Sequence, residues 1–167
     1  ERPKALNAVL KSLSLQSIFP AEIIIADDGS RENTRLLIKS WQSKIACPLI
    51  HVWQEDNGFR AAKIRNLAAA SAKGNYLIFL DGDCLVQPDF VKRHRSLAQD
   101  GFLVTGSRVL LNQMLTQKIL SWPQWSFSAF QSNLITYRLK GGINKIWPIL
   151  IKLGNGSWRI YKQFVWR

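Results

Sequence analysis

At residues 76–86 the sequence reads Tyr-Leu-Ile-Phe-Leu-Asp-Gly-Asp-Cys-Leu-Val. The run of large apolar side chains at its start, without alternation of polar and apolar residues, predicts a parallel strand that is buried on both faces. Asp81 and Asp83 then lie just beyond the carboxyl end of that strand, where open α/β sheets bind their ligands. Two carboxylates separated by one glycine predict a shared divalent cation, and a turn in which the acids cap the following backbone is the alternative.

Strands and helices alternate along the chain on both sides of this stretch. Before it, apolar spacing predicts a helix at 3–17, a strand at 22–26, a helix at 30–44, a strand at 49–54 and a helix at 59–73. After it, we predict a helix from Pro88, a strand at 102–111 and a helix at 113–120. This alternation predicts an α/β fold with a mostly parallel sheet and helices on both faces. Because the chain opens on a helix, we expect the first strand of the sheet to precede Glu1.

A second acidic turn, Asp27-Asp28-Gly29-Ser30, follows the predicted strand at 22–26. Right-handed crossovers would place it at the same sheet edge as Asp81 and Asp83. The predicted helix at 59–73 carries three basic residues near its start, Arg60, Lys63 and Arg65, which could meet phosphate oxygens. A solvated helix face is the alternative. Acids and bases arranged in this way predict a nucleotide diphosphate bound through Mg²⁺ or Mn²⁺.

Several classes of protein are not supported. The chain has no Gly-x-x-x-x-Gly-Lys-Ser/Thr loop and no Gly-x-Gly-x-x-Gly motif, which argues against P-loop nucleotidases and dinucleotide-dependent dehydrogenases. Cys47 and Cys84 lack the spacing of a zinc site or a redox pair. His51 and His94 are interpreted as a strand residue and a surface helix residue rather than as catalytic groups.

The charge of the chain is concentrated towards its C-terminus. Of a formal net charge of +12, residues 1–100 contribute 14 Lys/Arg against 11 Asp/Glu, and residues 101–167 contribute 9 against none. Five of the seven tryptophans also lie after residue 120: Trp122, Trp125, Trp147, Trp158 and Trp166. Such a region could face anionic lipid or nucleic acid, and a solvated basic face with the tryptophans packed in a core is the alternative.

The sequence also bears on the location of the protein. No apolar run reaches the length of a membrane span, and the N-terminus lacks the apolar segment of a signal peptide. With only two cysteines, which lack the spacing of a zinc site or a redox pair, a reducing compartment is the default. We therefore expect a cytoplasmic protein that is soluble or lies peripherally at the inner face of the membrane.

Three motifs in order carry a resemblance to a known family. These are Asp27-Asp28-Gly29-Ser30, then Asn57-Gly58 with the segment 61–66, then Leu80-Asp81-Gly82-Asp83. Together they resemble the donor-binding half of family 2 glycosyltransferases with the GT-A fold, over residues 3–111. The segment 57–60 and the helix after it are similar in particular to the branch of chondroitin-polymerase-like and surface-polysaccharide enzymes.

The resemblance implies an activity and a set of site residues. The protein would transfer a sugar from a UDP-sugar to a saccharide or lipid-linked saccharide, with Mn²⁺ or Mg²⁺ and with inversion. Asp27 or Asp28 would hydrogen-bond the uracil base, and Arg65 would approach the nucleotide from the helix before the metal motif. The position of Lys63 on the same helix also predicts a contact with the nucleotide. Asp81 would lie near the ribose and the metal, and Asp83 would bind the metal directly.

One departure from the family pattern concerns the general base. Inverting members use a further carboxylate, downstream of the metal motif, to accept the proton of the acceptor hydroxyl. This chain has no Asp or Glu after Asp100. We expect a truncated GT-A domain at residues 1–111 and an incomplete acceptor-side region at 112–167. A nucleotide-binding but inactive fragment is the alternative, followed by a nucleic-acid-binding protein.

Overall fold

The computed structural model describes residues 2–122 and 125–151. The chain divides into two compact units, Glu1–Val91 and Lys92–Arg167. The first unit contains, in order, α1 (Pro3–Ser14), β1 (Ile23–Asp28), α2 (Glu32–Gln42), β2 (Leu49–Gln54) and α3 (Ala61–Ser71). After α4 (Phe90–Leu97), which begins in the first unit, the second unit contains α5 (Gln113–Ser121), α6 (Phe127–Ser132), α7 (Leu134–Leu139) and α8 (Trp147–Leu150). The domain boundary predicted at residue 111 stays a prediction.

The sheet is a parallel pair formed by β1 and β2. The register runs from Ile23 opposite Leu49 to Asp28 opposite Gln54, and α2 supplies the crossover between the strands. β-Branched residues at the start of β1 suit a pleated, half-buried surface. Because the two aspartates are the last residues of β1, both carboxylates lie at the carboxyl end of the sheet. The α/β class predicted from the alternating pattern is confirmed.

The core of the first unit lies between these strands and the first two helices. Its buried residues come from α1, the two strands and α2, with single contributions from Ile45 and Val86. Leu10 of α1 is completely buried, and Ile38 of α2 is nearly so. Each such side chain contributes about 1.5–3 kcal/mol through removal of its apolar surface from water. Burial of the apolar faces predicted for α1 and α2 therefore stabilises the first unit.

Polar contacts attach the segment after Asp83 to the end of α1. Gln16, which is buried, donates to the carbonyl of Gln87 at 2.7 Å and accepts from the N–H of Val91 at 3.0 Å. The hydroxyl of Ser12 accepts from the N–H of Val86 at 3.3 Å. Buried backbone groups that are satisfied in this way fix the path of the chain. The acidic motif at 81–83 is consequently anchored on its C-terminal side.

The prediction of a strand at 76–80 is wrong for the described residues. A strand requires a hydrogen-bonded neighbour, and within residues 2–122 and 125–151 no segment pairs with this one. Its side chains alternate between half-buried and exposed, with Phe79 67% exposed, so that one face is covered instead of two. Leu80 still packs against the core of the first unit. The further strand expected before Glu1 stays a prediction.

The strand predicted at 102–111 is not formed either. Only Leu111 makes a bridge, antiparallel, to Ile143, and the remaining residues are exposed or half-buried without strand pairing. The helix predicted next is confirmed as α5, and Asn112 caps it by accepting from the N–H of Leu115 at 2.9 Å.

The aromatic C-terminal region contains both buried and exposed tryptophans. Trp125 is buried in the second unit, whereas Trp147 is mostly exposed. Trp158 and Trp166 lie outside the described residues. In the part of the chain that the structure covers, no helix has the length and apolar character needed to cross a bilayer. The predicted contact with an anionic membrane stays a prediction.

Candidate functional site

Asp27 is buried and stabilises the turn that follows β1. Only 5% of the residue is exposed. One carboxylate oxygen lies 2.8 Å from Nε2 of His51 on β2, and the other accepts from the N–H of Ser30 at 2.8 Å. Both carboxylate oxygens are therefore engaged in holding the turn against the neighbouring strand. His51, which the sequence presents only as a strand residue, is part of this arrangement.

Asp28 connects the same turn to the start of α3. Its carboxylate accepts from the side-chain amide of Gln54 and from the backbone N–H of Arg60, the latter at 2.7 Å. The hydrogen bond from Gln54 is the main cause that holds the pKa of the Asp28 carboxyl below its ordinary value. Burial opposes this shift, while the N–H and the charge of Arg60 add to it. Because Arg60 directly precedes α3, the carboxylate lies at the positive end of the helix dipole.

Gly29 allows the turn to pack against the loop before α3. Its φ is +86°, and a Cβ built there would lie 2.5 Å from the Cα of Asp56. Trp53 adds a further link, since its indole N–H donates to the carbonyl of Ser30 at 3.1 Å. The turn at 27–30 and the loop at 55–58 thus form one closely packed surface, which only glycine at position 29 permits.

Helix α3 connects this surface to the acidic motif at 81–83. An alanine-rich sequence favours the helix, and Ile64 and Ala68 are buried on its inner side. Arg65 projects from an exposed position, and its Nη2 lies 3.2 Å from Oδ1 of Asp81. The backbone contact with Asp28 is made by Arg60 directly before α3, and the side chain that reaches Asp81 belongs to Arg65, five residues later in the chain. One helix therefore holds both acidic turns.

Asp83 pairs with a residue that the sequence did not suggest. Nη1 of Arg2 lies 3.1 Å from its Oδ2. Arg2 directly precedes α1, and its carbonyl accepts from the N–H of Leu6 in the first turn of that helix. The two partners are 81 residues apart in the chain, so no local spacing could have revealed the contact.

The other basic residues of this region have different surroundings. The guanidinium of Arg60 donates to the carbonyl of Glu55 and so closes the loop before α3. Lys63 is exposed on α3, and among the described residues no hydrogen bond or ion pair joins it to either acidic turn. The role of Lys63 at phosphate stays a prediction.

Asp81 and Asp83 are the candidate metal ligands that the sequence predicts. Within residues 2–122 and 125–151 no three His, Cys, Asp or Glu side chains are grouped around a common point. The two carboxylates are about half exposed, at 47% and 48%. Mg²⁺ is commonly bound by one or two carboxylates, with substrate phosphates and water completing an octahedron. The oxygen ligands present fit a metal that is bound together with a phosphate group.

Comparisons with known proteins show the family to which the chain is similar. Residues 1–162 match the family model described as Glycosyl transferase family 2. The chain is 34% identical over 110 residues to chondroitin synthase of Escherichia coli. The aligned segment covers 64% of this chain and 16% of that protein. It is also 33% identical over 110 residues to hyaluronan synthase of Pasteurella multocida. This aligned segment covers 64% of this chain and 11% of that protein.

A third relative is validoxylamine A glucosyltransferase of Streptomyces hygroscopicus subsp. limoneus. It is 34% identical over 93 residues, which cover 54% of this chain and 20% of that protein. The chain thus spans a fifth or less of the length of these three relatives. No solved structure gave a significant match.

Proposed function

Because the chain belongs to glycosyl transferase family 2, we propose that it binds the sugar donor in an enzyme that extends a saccharide or a lipid-linked saccharide. The GT-A fold of this family agrees with the α/β class and the parallel strands of the structure. Three relatives are named as a chondroitin synthase, a hyaluronan synthase and a glucosyltransferase, and these names support a polysaccharide or glycoside product. The donor in this proposal is a UDP-sugar.

The observation that carries the proposal is the position of α3 between the two acidic turns. The backbone N–H of Arg60, the residue directly before α3, donates to Asp28, and Arg65 on α3 contacts Asp81. A nucleotide diphosphate needs a polar partner for its base and positive charge for its phosphates, and a helix N-terminus with nearby basic residues offers both charge and N–H groups. The contacts of α3 therefore support a single extended donor site.

In this proposal the residues of the first turn bind the base. We assign the contact with uracil to Asp28 in preference to Asp27, since Asp27 is buried whereas Asp28 is partly exposed. The carboxylate of Asp28 already accepts from Gln54 and Arg60, and the lone pairs that remain on its oxygens can accept from the base.

The residues of the second turn bind the ribose and the diphosphate. Asp81 lies towards the ribose and the metal, Asp83 binds Mn²⁺ or Mg²⁺, and Arg65 and Lys63 contact the nucleotide. When bound, the metal supplies Lewis-acid stabilisation of the charge on the UDP leaving group, which is worth several kcal/mol of barrier. Asp81 and Asp83 would orient the diphosphate by holding that ion.

The proposed transfer inverts the anomeric configuration. An acceptor hydroxyl attacks the anomeric carbon on the face opposite to UDP, the bond from that carbon to the phosphate oxygen breaks, and the electron pair leaves with UDP. The hydroxyl also loses a proton to a base, to which we assign no residue because the chain has no Asp or Glu after Asp100.

Calorimetry of UDP binding with and without Mn²⁺ tests the donor site. We expect metal-dependent binding in the wild type and its loss in Asp83→Ala. Glu32→Ala is the matched control, since Glu32 is an exposed acid that pairs with Arg35 on α2, and it should bind as the wild type does. Unchanged UDP binding in Asp83→Ala would contradict the metal assignment.

A donor-hydrolysis assay separates an enzyme from an inactive nucleotide-binding protein. Release of UDP from a UDP-sugar in the wild type, reduced in Asp83→Ala, supports the transferase. Metal-dependent UDP binding without hydrolysis or transfer would favour the inactive alternative. Steeply salt-dependent binding of generic DNA or RNA, with no binding of UDP, would contradict the proposal as a whole.

A further inference from the structure

We propose that Arg2 is a diphosphate-contact residue that changes partner during donor binding, from the carboxylate of Asp83 to the phosphate oxygens of the donor. The inference rests on the proposed function, because it takes Asp83 as a metal ligand. It assigns a role to a residue at the start of α1, which the three sequence motifs do not include.

The geometry shows a basic residue at each acid of the motif. Arg2 lies 3.1 Å from Asp83, and Arg65 lies 3.2 Å from Asp81. The two guanidinium groups come from different parts of the fold, one from the start of α1 and one from α3. A divalent cation on the two carboxylates would stand within a few ångströms of both guanidinium groups, and the repulsion between these like charges would displace the side chain that is less firmly held.

The charges of the motif and of the donor balance when both guanidinium groups remain nearby. Two carboxylates and two guanidinium groups sum to zero in the structure. A divalent metal adds two positive charges, and the diphosphate of a UDP-sugar adds two negative ones, so that the loaded site is again neutral. Either component alone leaves an excess of charge. The site therefore favours joint binding of metal and nucleotide, and each should raise the affinity for the other.

Arg2 is suited to the exchange because its side chain is weakly held while its backbone is fixed. The side chain is 78% exposed and that of Asp83 is 48% exposed. Exposed ion pairs of this kind favour the paired state by about fivefold at most. The carbonyl of Arg2 is engaged in the first turn of α1, so the guanidinium can move without a change in the main chain. Its planar arrangement of donors suits a phosphate group better than a lysine ammonium does.

The inference predicts effects of opposite sign on two affinities. In Arg2→Ala, we expect Mn²⁺ alone to bind more tightly, by up to about fivefold, because a competitor for Asp83 has been removed. We expect UDP in saturating Mn²⁺ to bind about tenfold more weakly or worse, because a charge-assisted hydrogen bond to phosphate has been lost. Arg2→Lys should lie between Arg2→Ala and the wild type. Both affinities are measured by calorimetry.

Arg35→Ala is the matched control, since Arg35 is an exposed arginine that pairs with Glu32 and should change neither affinity. Circular dichroism checks that each variant retains the wild-type helix content. Wild-type affinities in Arg2→Ala, or two changes in the same direction, would overturn the assignment of Arg2 and leave the proposed function standing. A wild type that fails to bind UDP with Mn²⁺ would instead refute the proposed function, and this inference with it.

Discussion

Gly29→Ala should destabilise the first unit by an amount that can be worked out from two features of the turn. The φ of +86° is the first, because an L-residue in this left-handed region costs about 1–2 kcal/mol. The second is space, since the new Cβ would lie 2.5–2.7 Å from the Cα, Cβ and N of Asp56. Overpacking that forces the backbone to move costs about 1–3 kcal/mol. Together we expect a loss of about 2–5 kcal/mol in the free energy of unfolding.

Gly58→Ala separates these two contributions. Gly58 also has a positive φ, at +77°, but apart from its two chain neighbours no atom of the described residues lies within 4 Å of the position that a Cβ would take. The variant should therefore lose only the conformational part, about 1–2 kcal/mol. The difference between the two variants, about 1–3 kcal/mol, measures how tightly the turn at 27–30 packs against Asp56.

Hydrogen exchange at the amides of β1, measured at increasing urea concentration, is the suitable assay. It reports the unfolding of the first unit, whereas a signal from the whole chain would average over two units. Equal losses in Gly29→Ala and Gly58→Ala would refute the close approach between the turn and the loop. A loss below about 1 kcal/mol in Gly29→Ala would refute the positive φ as well.

Two further predictions concern the same unit. The pKa of Asp28 lies below its ordinary value of 3.8 in the folded state, so the stability it contributes is present above that value and is lost as the pH falls through 3.8 towards the folded pKa. Asp28→Asn should therefore show a shallower loss of β1 protection at acid pH than the wild type, and equal slopes would contradict the hydrogen bonds from Gln54 and Arg60. Leu10→Ala, at a fully buried position, should cost about 2–5 kcal/mol in urea denaturation. Leu15→Ala, at a half-exposed position, should cost much less, and similar costs would contradict the packing of α1.

The elements of the first unit could be predicted because their signals are local. The helix spacing of α1 and α2, the alanine-rich run of α3 and the β-branched start of β1 each lie within a dozen residues. The observed ends differ by a few residues from the predicted ones, and β2 agrees at both ends. Patterns of this length report which face of an element is buried, and this is enough to define the element.

The strands predicted at 76–80 and 102–111 depend on information that a local pattern does not contain. An apolar run indicates that a segment can be a strand, but only a neighbour with free backbone groups makes it one. For 76–80 no such neighbour is found in residues 2–122 and 125–151, and the second segment is reduced to the bridge at Leu111.

The sequence motifs indicate some of the contacts within the candidate site, and its role in binding a donor stays a prediction. Asp28, Arg65 and Asp81 were identified from the motifs, and the structure brings each of them to α3 or its N-terminus. The supporting contacts were not predicted from the sequence. His51 and Gln54 on β2 contact aspartates of the neighbouring strand β1, and Arg2 contacts Asp83, which lies 81 residues later in the chain. Charge complementarity could have suggested such pairs only after the fold was known.

The double attachment of α3 has a consequence for sequence variation in this protein. Successive residues of a helix are about 100° apart around its axis. Insertion or deletion of one residue between Arg60 and Arg65 would keep the link to Asp28 but turn the guanidinium about a quarter of a revolution away from Asp81. A change of length in this segment would therefore remove the contact with Asp81, whereas a substitution at another exposed position of the segment would leave both contacts in place.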